Sequence, residues 1–164
     1  MIIERTSKIM LIFFLAMFFL GVAINNIIDY EINFQFVQHV VSMDAMQPWF
    51  DPAIVTKRSI TDPAVQLFLY HCIIAAELLA GLLALFACYK MIINIKNDKN
   101  FANAKNIYVI AAMLMMSVWY FGFNVIASNW FYMWANQYDA SNTAYNFIIF
   151  ILLSLIYVMC TEKN

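Results

Sequence analysis

Charge is scarce in this sequence. Only 12% of its 164 residues are Asp, Glu, Lys or Arg, while 65% are hydrophobic, and the mean hydropathy is +0.75. A soluble domain runs nearer roughly one quarter charged and one half apolar. A chain this short keeps too much surface to hide so much apolar side chain in a core of its own. Lipid is the solvent the composition fits. Glycine is sparse too: Gly21, Gly81 and Gly122 all fall inside apolar runs, which excludes a glycine-rich phosphate loop. The cysteines Cys72, Cys88 and Cys160 are far apart and form no CxxC pair. An odd, unpatterned set excludes a disulfide framework and a zinc site, and leaves three small hydrophobes. A net charge of −1 gives no attraction to nucleic acid. No nucleophile–base pair or paired catalytic carboxylates stand out, so the sequence leans away from an enzyme and calls for no cofactor or metal.

What is present is apolar length. Four segments, about Ile9 to Ile28, Gln66 to Tyr89, Ile107 to Ala127 and Ala144 to Cys160, each have the roughly 17–25 residues a helix needs to cross about 30 Å of hydrocarbon. Helices satisfy their own backbone groups, so runs of this length read as spans. Arg5 and Lys8 before the first run resemble a signal peptide. Its apolar stretch outlasts most signal cores, so an anchor is expected. Asp62-Pro63 marks the start of the second span, and Ser141, Asn142 and Thr143 offer caps to the fourth. Asp51-Pro52 suggests a short helix over about 52–58. Seven of the nine basic residues (Arg5, Lys8, Lys90, Lys96, Lys99, Lys105 and Lys163) fall on one side of these spans. The positive-inside rule puts that side, with both termini, in the cytoplasm. The expected fold is one all-α domain over 1–164, a four-helix antiparallel transmembrane bundle. Its outer segments, 29–65 and 128–143, are mildly acidic and rich in aromatics. They are expected to lie low on the membrane as a small periplasmic cap.

Glu77 is the residue out of place. It stands 11 residues past Gln66, about 16 Å deep at 1.5 Å per residue. An ionised group there costs at least about 2.5–3.5 kcal/mol, and such residues face the bundle interior. At 100° per residue Glu77 shares a stripe with Ala76, Ala80, Gly81, Ala84, Tyr70 and Gln66. Small residues let helices approach closely in lipid, so this stripe is the expected packing seam. Ser117, Tyr120, Asn124 and Ser128 form the only polar face of the third span. The expectation is a neutral Glu77 hydrogen-bonded to that face, since desolvation disfavours the charge. The plain alternative is a polar contact that only fixes helix register. His71 reads as interfacial; His39, Asp44 and Asp51 share no ligand spacing. The eleven methionines read as adaptable packing.

Several landmarks occur in order along the chain: Ser42-Met43-Asp44, Ile60-Thr61-Asp62-Pro63-Ala64, Ala76-Glu77-Leu78-Leu79 and Trp130-Phe131-Tyr132-Met133-Trp134. Together they resemble the bacterial small integral membrane protein family catalogued as domain of unknown function 2165, over nearly the whole chain. The resemblance implies four transmembrane helices in a bacterial inner membrane and implies no activity. That family often carries an acidic residue before the Trp-Phe pair. Asn129 stands there in this chain, so no acidic role carries over to that position.

Two function classes follow. In the first, the protein is a non-enzymatic accessory, regulatory or immunity-type subunit. It would meet a protein partner, or a second copy of itself, through a helix face or an outer surface including Asp44, Trp49, Phe50, Trp130, Phe131 and Trp134. In the second, the bundle handles a lipid, quinone or proton between the second and third spans. Glu77, Tyr70, Gln66, Ser117, Tyr120 and Asn124 would form that site. Both place the chain among membrane lipids and away from nucleic acid.

Overall fold

The computed structural model describes residues 2–162, and every regular element in it is helical. Lys163, counted above among the cytoplasmic charges, lies outside the described residues. Helix α1 spans Ile2–Ile28, α2 Tyr30–Ser42, α3 Pro52–Arg58 and α4 Pro63–Ile93. Helix α5, Asp98–Met116, runs into a π-helix at Ser117–Trp130; a short turn at Met133–Ala135 leads to α6, Ser141–Met159. Four helical stretches are long and apolar enough to cross a membrane: Ile2–Ile28, Pro63–Ile93, Asp98–Trp130 and Ser141–Met159.

Local chemistry sets the helix ends. The Asp62 carboxylate accepts from the backbone N–H of Ala64 at 2.8 Å, with Pro63 at the first helical position, and Asp51 does the same for Ala53 ahead of α3. The start of α6 differs from expectation. Its cap comes from Asp139, which accepts from both the N–H and the hydroxyl of Ser141, at 2.9 and 2.6 Å. An Asp side chain reaches its own backbone two residues on, so a carboxylate just ahead of Ser141 does what the hydroxyls were expected to do.

Packing between α1 and α4 runs in opposite sequence directions. The Cys88 thiol meets the Ile9 carbonyl, Gly81 meets Leu20, and Asn26 meets Glu77. Small residues make the approach possible: Ala80, Ala84 and Ala87 of α4 and Ala16 and Ala23 of α1 are fully buried. A Cβ on Gly81 would stand 2.7 Å from Leu20 Cγ and 3.2 Å from its backbone nitrogen. Glycine is required there by contact, not by dihedral.

Residues 29–62 are more ordered than a surface loop. Asp29 interrupts α1, and α2 continues alongside the N-terminal half of α4, burying Val37, Val40 and Val41. Those valines recur at i, i+3 and i+4, the helical period. Met43, in the left-handed region at φ 54°, ends the helix. Backbone bonds from Gln47 to Ala135 and from Gln137 to Ala45, both 2.9 Å, knit this segment to residues 131–140. The opposite end of the bundle is tied by charge. Arg5 donates to Asp98 and to the Ile95 carbonyl, while buried Lys8 and Lys105 both donate to Glu162, at 2.7 and 3.0 Å.

Candidate functional site

Glu77 sits midway along α4 and is 2% exposed. Its Oε2 accepts from the Asn26 amide at 2.8 Å, and the Tyr70 hydroxyl donates to the Asn26 backbone carbonyl at 2.7 Å. Asn26 lies two residues from the end of α1, so one side chain joins the C-terminal end of that helix to the middle of α4. The partner is on the first span, not the third. Ser117 is exposed and donates to the Leu114 carbonyl of its own helix, and Tyr120 points outward at 49% exposure. Asn124 is buried, but neither amide atom of its side chain has a hydrogen-bond partner.

The reason lies in the backbone. From Ser117 onward the third span bonds i to i+5; Phe131 N–H, for instance, donates to the Ile126 carbonyl at 3.2 Å. A π-helix carries more residues per turn than an α-helix. A face computed at 100° per residue does not survive that change, and the four polar residues scatter. Ser128 instead shares a hydrogen bond with Ser141, 3.0 Å away at the start of α6. Gln66 is buried in the cap, donating to the Ile60 carbonyl at 2.8 Å and accepting from Gln38 at 3.2 Å. Of the six residues the sequence assembled, only Glu77 and Tyr70 meet, and they meet through Asn26.

Beside them lies a cavity of about 470 Å³. Glu77, Tyr70 and Ile73 of α4 line one side, Gly21, Asn25 and Asn26 of α1 another. Asn33 and Phe36 of α2 and Trp119 and Phe123 of the π-helix complete it. Only one Glu77 oxygen is spoken for. Among the described residues Oε1 has no hydrogen-bond partner, and Glu77 lines the cavity. A second cavity, about 340 Å³, shares Phe36, Val37, Ile73 and Phe123 with the first and is otherwise apolar apart from Ser117 and Cys72. Asn25, Asn26 and Asn33 escaped the sequence reading. Two adjacent asparagines in the last turn of an apolar span carry the same signal that singled out Glu77.

The family model described as predicted small integral membrane protein (DUF2165) matches residues 4–161. The chain belongs to this family. No match is found among curated proteins or among solved structures. Membership makes this an integral membrane protein and gives the Glu77 cavity no assigned role.

In this family member the cap residues separate into surface and core. Trp49 and Trp134 are mostly exposed and stack at 6.0 Å, with Phe50 and Tyr132 packed behind them. Arg58 lies over the rings of Trp130 and Tyr132, at 4.9 and 4.8 Å. Phe131 is buried, a packing residue beneath that surface. Asp44 accepts from or pairs with His39 Nδ1 at 2.8 Å, and the His39 ring stacks on Tyr138. Among the described residues no group of three or more His, Cys, Asp or Glu could hold a metal ion.

Proposed function

We propose that this protein is a membrane-embedded binding protein whose cavity at the Glu77 level holds a lipid-soluble small molecule. The observation that carries this is Glu77 Oε1, without a hydrogen-bond partner among the described residues, on a side chain that lines a cavity within the span. A carboxyl group at such depth is costly, and side chains of this kind mark ligand or ion pathways. A volume of about 470 Å³ falls in the range of about 300–1,000 Å³ of small-molecule sites. The basic residues clustered at the Arg5 and Lys105 end support cytoplasmic termini and an inner-membrane setting.

Native mass spectrometry of the protein in lipid nanodiscs drawn directly from cells tests this reading. The expected result is one bound small molecule per chain, absent from a Gly21→Leu variant. A Cβ at Gly21 meets nothing within 4 Å, so a larger side chain has room to start there and extend into the cavity rim. Wild-type protein that carries no more than the variant does would overturn the reading.

The exposed Trp49–Trp134 stack favours a second reading, an accessory subunit that presents the cap to another protein. Photo-crosslinking from position 49 in cells tests it. A discrete protein adduct supports the reading; adducts to lipid alone count against it.

A further inference from the structure

We propose that the molecule held at Glu77 is a lipophilic amine: a primary ammonium on a single apolar chain, with the chain running past Phe36 and Phe123 into the second cavity. The proposal rests on the reading of the Glu77 cavity as a binding site. Its first support is a pair of unused acceptors beside one another. The Tyr70 hydroxyl, the Asn26 amide nitrogen and the Asn33 amide nitrogen already donate within the protein. Glu77 Oε1 and Asn26 Oδ1 accept nothing. The donors left over in the lining are neutral, the Asn25 amide and the enclosed Trp119 indole N–H, so what the site does not supply for these acceptors is a charged donor.

Charge gives the second support. Among the described residues no Lys, Arg or His lines either cavity. A carboxyl group in hydrocarbon stays neutral unless a counter-charge accompanies it, and at this cavity an ammonium ligand would bring one. The remaining walls suit a cation, because Trp119, Phe123 and Phe36 line the same space and aromatic faces attract ammonium groups. The third support is the tail. The Phe36 and Phe123 rings stack at 6.1 Å and line both cavities, so the two spaces share a wall. Beyond them, about 340 Å³ of apolar space is at the small end of ligand pockets, room for one chain rather than two.

The test uses the full chain in nanodiscs of phosphatidylcholine, whose quaternary head has no N–H donor. The probes are dodecylammonium, dodecanol, dodecanoate and butylammonium, titrated calorimetrically, with Gly21→Leu nanodiscs subtracted for partition into lipid. Dodecylammonium is expected to bind about tenfold or more tightly than each of the others, the size of one charge-assisted hydrogen bond or of a buried chain. Glu77→Gln should remove the preference over dodecanol, and Ala76→Leu, which intrudes on the second cavity alone, should shrink the gain from chain length. Dodecanoate binding as tightly as dodecylammonium would overturn the head assignment, and butylammonium doing so would overturn the tail. Phosphatidylethanolamine carries the same ammonium on two chains; its displacing dodecylammonium would refute the single-chain occupant. The four probes on the wild-type chain decide the matter even if a variant fails to fold. Should no probe bind while native mass spectrometry still finds a bound molecule, the amine is refuted and the binding site stands. If neither is seen, both fall.

Discussion

Asn26 holds two helices with one residue. Its side chain donates to Glu77 while its backbone carbonyl accepts from Tyr70, so the two contacts can be separated by mutation. Asn26→Leu leaves the Tyr70 bond possible and strips Glu77 of its one side-chain hydrogen bond among the described residues. A buried polar group left unpaired costs about 1–3 kcal/mol, whereas replacing both partners by apolar groups can be nearly neutral. Asn26→Leu is therefore expected to lower the thermal midpoint in nanodiscs, and the Asn26→Leu/Glu77→Leu double variant to regain most of that loss. Additive losses would show that the two side chains do not act as a pair. Glu77 itself stood out in the sequence, because a carboxyl group within an apolar run is costly and turns inward. Asn26 was not, because the search for a partner began from a calculated face of the third span and passed over the end of the first.

At the scale of elements, hydropathy made the four spans readable, and small-residue spacing placed the seam on α4. Gly81 sharpens that seam into a contact. Gly81→Val would push into Leu20 from 2.7 Å and is expected to cost about 1–3 kcal/mol, as overpacking does. Gly21→Ala meets open space and should be neutral or slightly stabilising, by up to about 1 kcal/mol from helix propensity. Equal effects of the two substitutions in a thermal melt would contradict the seam. Two elements stayed hidden for different reasons. Helix α2 was written in Val37, Val40 and Val41, but the aromatics around them read as an interfacial loop. The π-helix has no period of its own in the sequence: Gly122 and the aromatics from Trp119 to Phe123 fit an α-helix as well. Its wider turn also matters for the site, since it brings Trp119 and Phe123 to the cavities and turns Tyr120 away.

Across the whole molecule, polar anchoring is divided between the ends. The cap is joined by backbone bonds, and the other end by charges that the sequence showed only as a one-sided excess of lysine and arginine. Glu162 is the hinge of that arrangement, accepting from Lys8 and Lys105, side chains 0% and 7% exposed. Burial pushes the Glu162 carboxyl up, but hydrogen bonds and charge from the two lysines outweigh it and hold the group below its ordinary range. An unfolded Glu162 then binds protons more readily than the folded one. Its contribution is fully present above the ordinary glutamate value of about 4.3, and it is lost as pH falls through the lower folded value. Stability should thus hold near neutral pH and decline in acid, whereas Glu162→Gln should lower stability at pH 7 and flatten that acid limb. Removing one partner of a buried charge cluster typically costs on the order of 3 kcal/mol, and here it would leave Lys8 with the Cys160 carbonyl and the more distant Glu4, at 3.7 Å, and Lys105 with the Cys160 carbonyl. Thermal melts of both proteins from pH 7 down to the acid range check this. A Glu162→Gln protein with an unchanged acid limb would show that the charged end is not held through this carboxylate.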